Sequence, residues 1–360
     1  MTIGSALVLG GAGDMGSGVV EELVKLGVQV DIGDINTAKA QSIANSLRDI
    51  GEVGVVRVDA SSRDKLANIV KGYDVVVNAI GPFYKHGFAI AETLIVAGKS
   101  GIDLCDDHDA AEQILGLSAQ AMKNGVTYIT GLGWTPGLSN ILAKMGVEEL
   151  GGEADSVDIG WFGSAADSRG LAVIMHLFHA MTGEVPMFLD GSITMVRAGS
   201  SRVTFEFPVV GKLKLYYVGH PEPLTISRNL RVLKRVTIRG CLIPEWQTDL
   251  AKLFVRLGLT STRWRVEKLS KFINKIEDLF RTGGVALSGV KVVIERGEKR
   301  VSYASVNRMR KLTTAPAALG AHLILQDQIV ERGVFPPEAI IETRLFLEKL
   351  ETMGVTVTMG

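Results

Sequence analysis

Ala6-Leu7-Val8-Leu9-Gly10-Gly11-Ala12-Gly13-Asp14-Met15-Gly16-Ser17-Gly18-Val19-Val20 reads as a strand, a glycine loop and the opening of a helix. In Gly11-x-Gly13-x-x-Gly16 the first glycine permits a tight turn. The second lets backbone approach a bound pyrophosphate, and the third lets the helix pack on the strand. The helix amino terminus, beginning near Ser17, adds free N–H groups and a positive dipole end, so a phosphate is the expected guest, with Asp14 and Met15 lining the turn. The next strand ends at Asp34, eighteen residues beyond Gly16, where a carboxylate can accept hydrogen bonds from an adenosine ribose. That context predicts a dinucleotide site. A carboxylate repels the extra phosphate of NADP, and no arginine lies within Ile35–Ala40, so NAD is the expected cofactor and NADP the alternative. Asp59, after the third strand, can reach the adenine amino group or simply sit solvated in its loop.

Working outward, Val- and Ile-rich runs at Ala6–Leu9, Val28–Ile32, Val53–Val58, Val75–Ala79, Gly101–Leu104 and Val126–Thr130 are hydrophobic without alternation, as in strands covered on both faces. Helical spacing fills Glu21–Lys25, Thr37–Arg48, Arg63–Val70, Ala89–Ala97 and Ala110–Lys123. This is a Rossmann-type α/β fold, a doubly wound parallel sheet. After about Pro136 the texture changes to alternating runs, Val203–Phe207 and Leu213–Val218, then a basic stretch Arg256–Arg281, then paired strands near Val290–Glu295 and Val301–Arg308. These predict an inserted α+β substrate domain with a mainly antiparallel sheet. Helical patterns return at Ala315–Val330 and Pro337–Leu350. The expected division is therefore 1–135 plus 313–360 for the nucleotide domain and 136–312 for a substrate-binding and dimerisation insert.

Bulk properties fit this reading. The chain has 360 residues, 46% hydrophobic, with 39 cations and 39 carboxylates, so no overall field recruits nucleic acid or a membrane; a small-molecule substrate is expected. Only two cysteines occur, and no basic region precedes an apolar cleavable stretch at the amino terminus, which predicts a reducing, cytoplasmic compartment. The apolar run Leu171–Met181, broken by His176 and His179, is too short to span a bilayer and reads as a buried helix. The basic stretch can present Arg263, Arg265, Lys268, Lys271 and Lys275 as a docking face or as an ordinary solvated one.

Ligands of doubly wound sheets lie outside the carboxyl ends of the strands. Three segments follow such ends: Asn78-Ala79-Ile80-Gly81-Pro82-Phe83-Tyr84-Lys85-His86-Gly87, Asp103-Leu104-Cys105-Asp106-Asp107-His108, and Gly131-Leu132-Gly133-Trp134-Thr135-Pro136-Gly137-Leu138-Ser139-Asn140. Adjacent carboxylates such as Asp106 and Asp107 raise one another's pKa in a dry pocket and so can move protons, although Asp107 or Asp109 equally suits a helix cap. His86 and His108 can titrate usefully beside a cofactor or simply lie at the surface. Cys105 and His108 are too few for zinc, and no metal is expected.

These segments, with Gly219-His220-Pro221-Glu222-Pro223, Thr314-Ala315-Pro316-Ala317-Ala318 and Gly333-Val334-Phe335-Pro336-Pro337-Glu338, resemble the saccharopine dehydrogenase-like family, which includes saccharopine reductases, lysine 6-dehydrogenases and carboxynorspermidine dehydrogenases. The resemblance implies that the carboxyl-terminal segment completes the nucleotide domain, that the insert builds the substrate site and a homodimer interface, and that the activity is NAD(P)-dependent oxidoreduction at a carbon–nitrogen bond of an amino-acid or polyamine-like substrate. Thr135 stands where saccharopine reductases carry an aspartate, a departure at a substrate contact. Asn78, Gly81 and Pro82 are expected beside the cofactor; Asp106, Asp107, His86, His108, Tyr84, Thr135 and His220 are candidates for catalysis; Arg197, Arg202 or Lys85 for holding a carboxylate. The loop His220-Pro221-Glu222-Pro223 can close the site or serve only as a rigid turn. Two other readings stay open: a carbonyl or enoyl reductase, favoured by Trp161, Phe162, Phe178 and Phe188, and a non-catalytic NAD-binding partner protein.

Overall fold

The structure, a computed structural model, describes residues 3–167, 170–276, 278 and 285–360. Two compact units emerge. The first comprises residues up to Cys105, Asp109–Gly133 and Thr313–Glu342; the second comprises Asp106–His108, Trp134–Leu312 and Thr343–Gly360.

The first unit is built on strands β1 (Ser5–Leu9), β2 (Gln29–Asp34), β3 (Val53–Arg57), β4 (Val75–Asn78), β5 (Ser100–Asp103) and β6 (Thr127–Ile129), joined at its edge by Gly333–Phe335. The seven lie in the order Gly333–Phe335, β6, β5, β4, β1, β2, β3, every neighbour parallel. The chain winds outward from β1 through β2 and β3, then returns to β4 on the other side. The carboxyl ends of β1 and β4 therefore flank the topological switch point, where such sheets open a crevice. Leu7, Leu9, Val76 and Ile102 are wholly buried, which is why these strands read as continuous apolar runs. The first helix begins at Asp14 rather than Ser17. The expected helix Ala110–Lys123 is two, His108–Leu115 and Ser118–Lys123. Gly116 is the weak point between them, and Leu117 N closes a tighter turn by donating to the Ile114 carbonyl.

In the second unit the strands are β7 (Ala154–Ser164), β8 (Glu184–Leu189), β9 (Ser192–Arg197), β10 (Val203–Phe207), β11 (Gly211–Tyr217), β12 (Val232–Ile243), β13 (Ser288–Arg296) and β14 (Lys299–Asn307). The main path runs β10, β11, β12, β7, β13, β14, and ends on Thr358–Met359. One pair, β12 with β7, is parallel, and the others are antiparallel. Phe162, Phe205, Phe207, Leu215 and Cys241 form a core against one face. In the register of β12 and β7, Gly240 pairs with Trp161. A Cβ on Gly240 would lie 2.2 Å from Trp161 Cε2, so glycine is what lets the indole lie over the neighbouring strand.

The units differ from the expected division in three places, the first being that Trp134 and Thr135 fall in the second unit. Asp106–His108 belong to the second, and so do residues 343–360, whose helix Thr343–Thr352 buries Phe346 and Leu350 against the helix Leu138–Glu149. Leu171–Ala180 is a helix, but only Met175, Phe178 and Ala180 are buried on it, so it is amphipathic rather than fully enclosed. Among the described residues no helix is long and apolar enough to cross a membrane.

Candidate active site

In the first unit the glycine loop is held by backbone alone. Gly10, at φ +72°, donates to the Gly33 carbonyl at 2.8 Å and accepts from Gly13 N at 2.9 Å. A Cβ on Gly16 would lie 2.2 Å from the Gly10 carbonyl oxygen, and one on Gly11 would lie 2.9 Å from that of Val8. Helix Asp14–Lys25 has Gly13 at its N-cap and no side-chain cap. With Met15 half-buried beside it, this first turn is the arrangement an anion needs. Asp34 is clamped at the end of β2, its two oxygens accepting from Ala12 N (3.0 Å) and Asn36 N (2.9 Å). Asn78, fully buried at the end of β4, accepts from Ile80 N, while its Nδ2 has no hydrogen-bond partner among the described residues. An orphaned buried donor at the switch point, beside a cradle that admits no Cβ, fits a dinucleotide.

Asp59 is exposed and caps its own turn, accepting from Ser61 N and Oγ, which hold its carboxyl below the usual range. Tyr84 and His86 lie on the helix Phe83–Val96, after Gly81 and Pro82; burial and then Lys85 pull His86 down. Asp103, completely buried, accepts from Gly131 N, Cys105 N, Thr130 Oγ1 and Tyr128 OH. It ties β5 to the segment after β6, a structural role.

The second unit gathers a continuous polar cluster from four separate segments. His176 Nδ1 lies 2.8 Å from Asp107 Oδ1 and 3.3 Å from Asp106 Oδ1. Its Nε2 meets His220 Nε2 at 3.3 Å. Glu222 Oε1 accepts from Thr135 Oγ1 at 2.6 Å and Ser139 Oγ at 2.9 Å, while Oε2 lies 3.7 Å from His220 Nδ1. Asn140 joins through Nδ2 to Thr225 and Oδ1 to Gly137 N. His108 stacks on His179 with ring centroids 6.1 Å apart. Trp161 lies 5.7 Å from His220 and 5.8 Å from Trp134, and both buried indole N–H groups lack a hydrogen-bond partner among the described residues.

Electrostatics assign the protons. Burial, reinforced by the Asp107 carboxylate and opposed by His176, pushes Asp106 up to about 7. Burial works against protonation of His176, but Asp106, Asp107 and Glu222 outweigh it and push it up to about 9. Burial, then His176 and His108, hold His220 far below its ordinary value. Burial raises Glu222 against the bonds from Thr135 and Ser139. At neutral pH His176 is thus an imidazolium donating from Nδ1 to Asp107 and from Nε2 to His220, which leaves the His220 proton on Nδ1, facing Glu222. Two sets, Asp106 with Asp107 and His176, and His108 with Asp109 and His179, each place ligand atoms within 4.8 Å of one another, so that a divalent cation could share either.

Of the residues expected from the sequence, Asp106, Asp107, Thr135 and His220 meet in this cluster and His108 borders it. His86 and Tyr84 belong to the first unit. Arg197 and Arg202 are exposed on the second unit and stay outside the cluster. His220-Pro221-Glu222-Pro223 is no surface loop: it is buried and opens the helix Glu222–Asn229. His176, Glu222, Ser139 and Asn140 were not singled out as catalytic candidates. A histidine interrupting the apolar run Leu171–Met181 was the one available signal for His176.

Residues 6–129 match the family described as Saccharopine dehydrogenase NADP binding domain. Over 154 residues the chain is 25% identical to a lipid droplet localized protein of Caenorhabditis elegans, covering 40% of this chain and 35% of that protein. Over 180 residues it is 26% identical to a carboxynorspermidine synthase of Vibrio alginolyticus, covering 46% and 43%. These matches span less than half the length of either relative. The apo saccharopine dehydrogenase (L-Glu forming) of Saccharomyces cerevisiae shares the fold at a TM-score of 0.72 and 12% identity, covering 99% of this chain and 100% of that one. Residues 6–129 thus match a saccharopine dehydrogenase NADP binding domain, and the chain as a whole shares the fold of a saccharopine dehydrogenase.

Proposed function

We propose that this protein is an NAD(P)-dependent oxidoreductase acting at a carbon–nitrogen bond of an amino-acid or polyamine-like substrate. The observation that carries the proposal is the cluster of Asp106, Asp107, His176 and His220, in which Asp106 is pushed up to about 7 and His176 to about 9. In the chain, Asp106 and Asp107 follow β5 by a few residues and Thr135 follows β6. The dinucleotide, when bound, supplies a hydride acceptor or donor. Gly11, Gly13, Gly16, Asp14 and Met15 would hold its pyrophosphate, Asp34 its ribose, and Asn78, with Gly81 and Pro82, the nicotinamide end.

In amine oxidation an ammonium must lose a proton before hydride can leave the adjacent carbon. Asp106, partly exposed and poised near neutrality, is the base. His176 donates to Asp107 and lies beside Asp106, which keeps Asp106 oriented; in the reverse direction it refills the proton Asp106 gives away. Trp134 and Trp161 offer unpaired N–H groups to a substrate acceptor. A carbonyl or enoyl reductase fits less well, because Phe162 belongs to the core and Phe178 packs on Phe254, rather than forming a greasy pocket. Asp34 favours NAD, since its carboxylate would repel a ribose 2′-phosphate, whereas the family matched by residues 6–129 is described as NADP binding.

The test is reduced-cofactor absorbance with NAD or NADP against a panel of amino acids and polyamines, in both directions. Turnover lost in Asp106→Asn with dinucleotide binding intact is the expected outcome. Absence of turnover across the panel, with tight dinucleotide binding, would favour the non-catalytic partner reading.

A further inference from the structure

The helix Arg263–Lys275 is amphipathic in an unusual sense. It packs against the helix Leu171–Ala180 and buries Val266 and Ser270, so its inner face is accounted for. Its outer face carries Trp264, 62% exposed, and Phe272, 60% exposed, among Lys268, Lys271 and Lys275. Residues 264, 268, 271, 272 and 275 fall on one side at helical spacing. Lys268 Nζ sits 4.0 Å from the Trp264 ring centre. Within the helix five cations face one carboxylate, Glu267, which pairs with Lys271 at 2.7 Å, in a chain whose formal net charge is zero. The preceding helix Trp246–Arg256 also rests on Leu171–Ala180 through Phe254 and Phe178, and leaves exposed a stripe of Trp246, Leu253 and Leu257 at spacings of seven and four.

We infer that these two helices form a docking face for an anionic phospholipid surface, on which the protein lies without spanning it. Trp264 and Phe272 stand exposed among lysines, and large apolar groups held at a surface mark an interaction site. Aromatic and aliphatic side chains at the water boundary, flanked by lysines, are the composition that enters the headgroup layer. Charge complementarity then selects anionic lipid, since each lysine near such a surface adds to binding. Aliphatic Leu253 and Leu257 suit acyl chains; a nucleic acid would use aromatics for stacking but has nothing to place against leucines.

Flotation of the intact protein with phosphatidylcholine vesicles, with and without phosphatidylglycerol, tests this. Binding is expected only when phosphatidylglycerol is present, and it should weaken as salt is raised. Replacing Lys268, Lys271 and Lys275 together by Gln should weaken partitioning roughly a hundredfold, and Trp264→Ser with Phe272→Ser about tenfold. These outward-facing changes leave the helix's buried face alone, which circular dichroism would confirm. Equal binding to both vesicle types, or no binding by the unaltered protein, overturns the inference. So does a dimer in solution that Trp264→Ser dissociates while vesicle binding is absent, which would make the face a seam between two copies.

Discussion

The glycine loop and the Asp106–His220 cluster are the two candidate sites, and they are made of different materials. The loop is built from backbone: N–H groups, carbonyls and positions where a Cβ has no room, all within a few residues of one another. The cluster is built from side chains on residues 106–107, 135–140, 176 and 220–222, which meet only through the folding of the second unit. A backbone site depends on what is absent from its residues and tolerates no added atoms. A side-chain site depends on specific protons and tolerates changes of shape better than changes of charge.

The largest effect should come from adding one carbon to the loop. Gly16→Ala places a Cβ against the Gly10 carbonyl oxygen, which cannot move without opening the turn. We expect the Kd for NAD, measured by calorimetry, to rise roughly a hundredfold or more, because the pyrophosphate loses its backbone cradle. Binding within a few-fold of the unaltered protein would break the comparison on the loop's side.

His176→Gln sharpens the other side. It keeps a polar side chain but removes the imidazolium, and kcat should fall on the order of a hundredfold or more while NAD affinity stays unchanged. The unaltered enzyme's kcat/KM for amine oxidation should rise as Asp106 ionises near about 7 and fall as His176 deprotonates near about 9. A flat profile across that interval would remove Asp106 from the role of base.

Two smaller effects follow. Asp34→Ser should shift selectivity toward NADP by about tenfold, as a repelling carboxylate is lost; no shift would mean that Asp34 serves only the loop backbone. His176 is also a stability group, because its folded pKa lies above the ordinary 6.5. Its contribution is complete below about 6.5 and is lost as pH rises through about 9, at most about 3 kcal/mol, visible as a fall in denaturation midpoint over that window. A midpoint that rises there would contradict the assigned imidazolium.

The comparison also explains what the sequence disclosed. Gly11, Gly13, Gly16 and Asp34 are legible because the spacing of a βαβ unit is set by local geometry, so contiguous letters carry the site. The strands of the first unit were legible for the same reason: burial on both faces leaves no alternation to misread. Asp106, Asp107 and Thr135 are reached through the rule that ligands gather beyond strand ends, and His220 through the family resemblance. His176 and Glu222 are not, because no local rule links a helix interrupted by histidine to a Pro-flanked glutamate. The carboxyl-terminal helix was placed with the nucleotide unit by resemblance, whereas Phe346 and Leu350 bury against Leu138–Glu149, a pairing that apolar periodicity cannot identify.

One feature of the first sheet bears on timing. Its edge strand, Gly333–Phe335, pairs with β6 across some two hundred intervening residues that form most of the second unit. During synthesis β1 to β6 emerge first, yet the sheet keeps an open edge beside β6 until nearly the whole chain has left the ribosome. The segment that closes that edge cannot arrive before the residues of the proton-handling cluster have been made. A nascent chain therefore cannot finish its nucleotide sheet ahead of its chemistry, and truncation anywhere before Gly333 should leave a sticky sheet edge rather than a tidy half-protein.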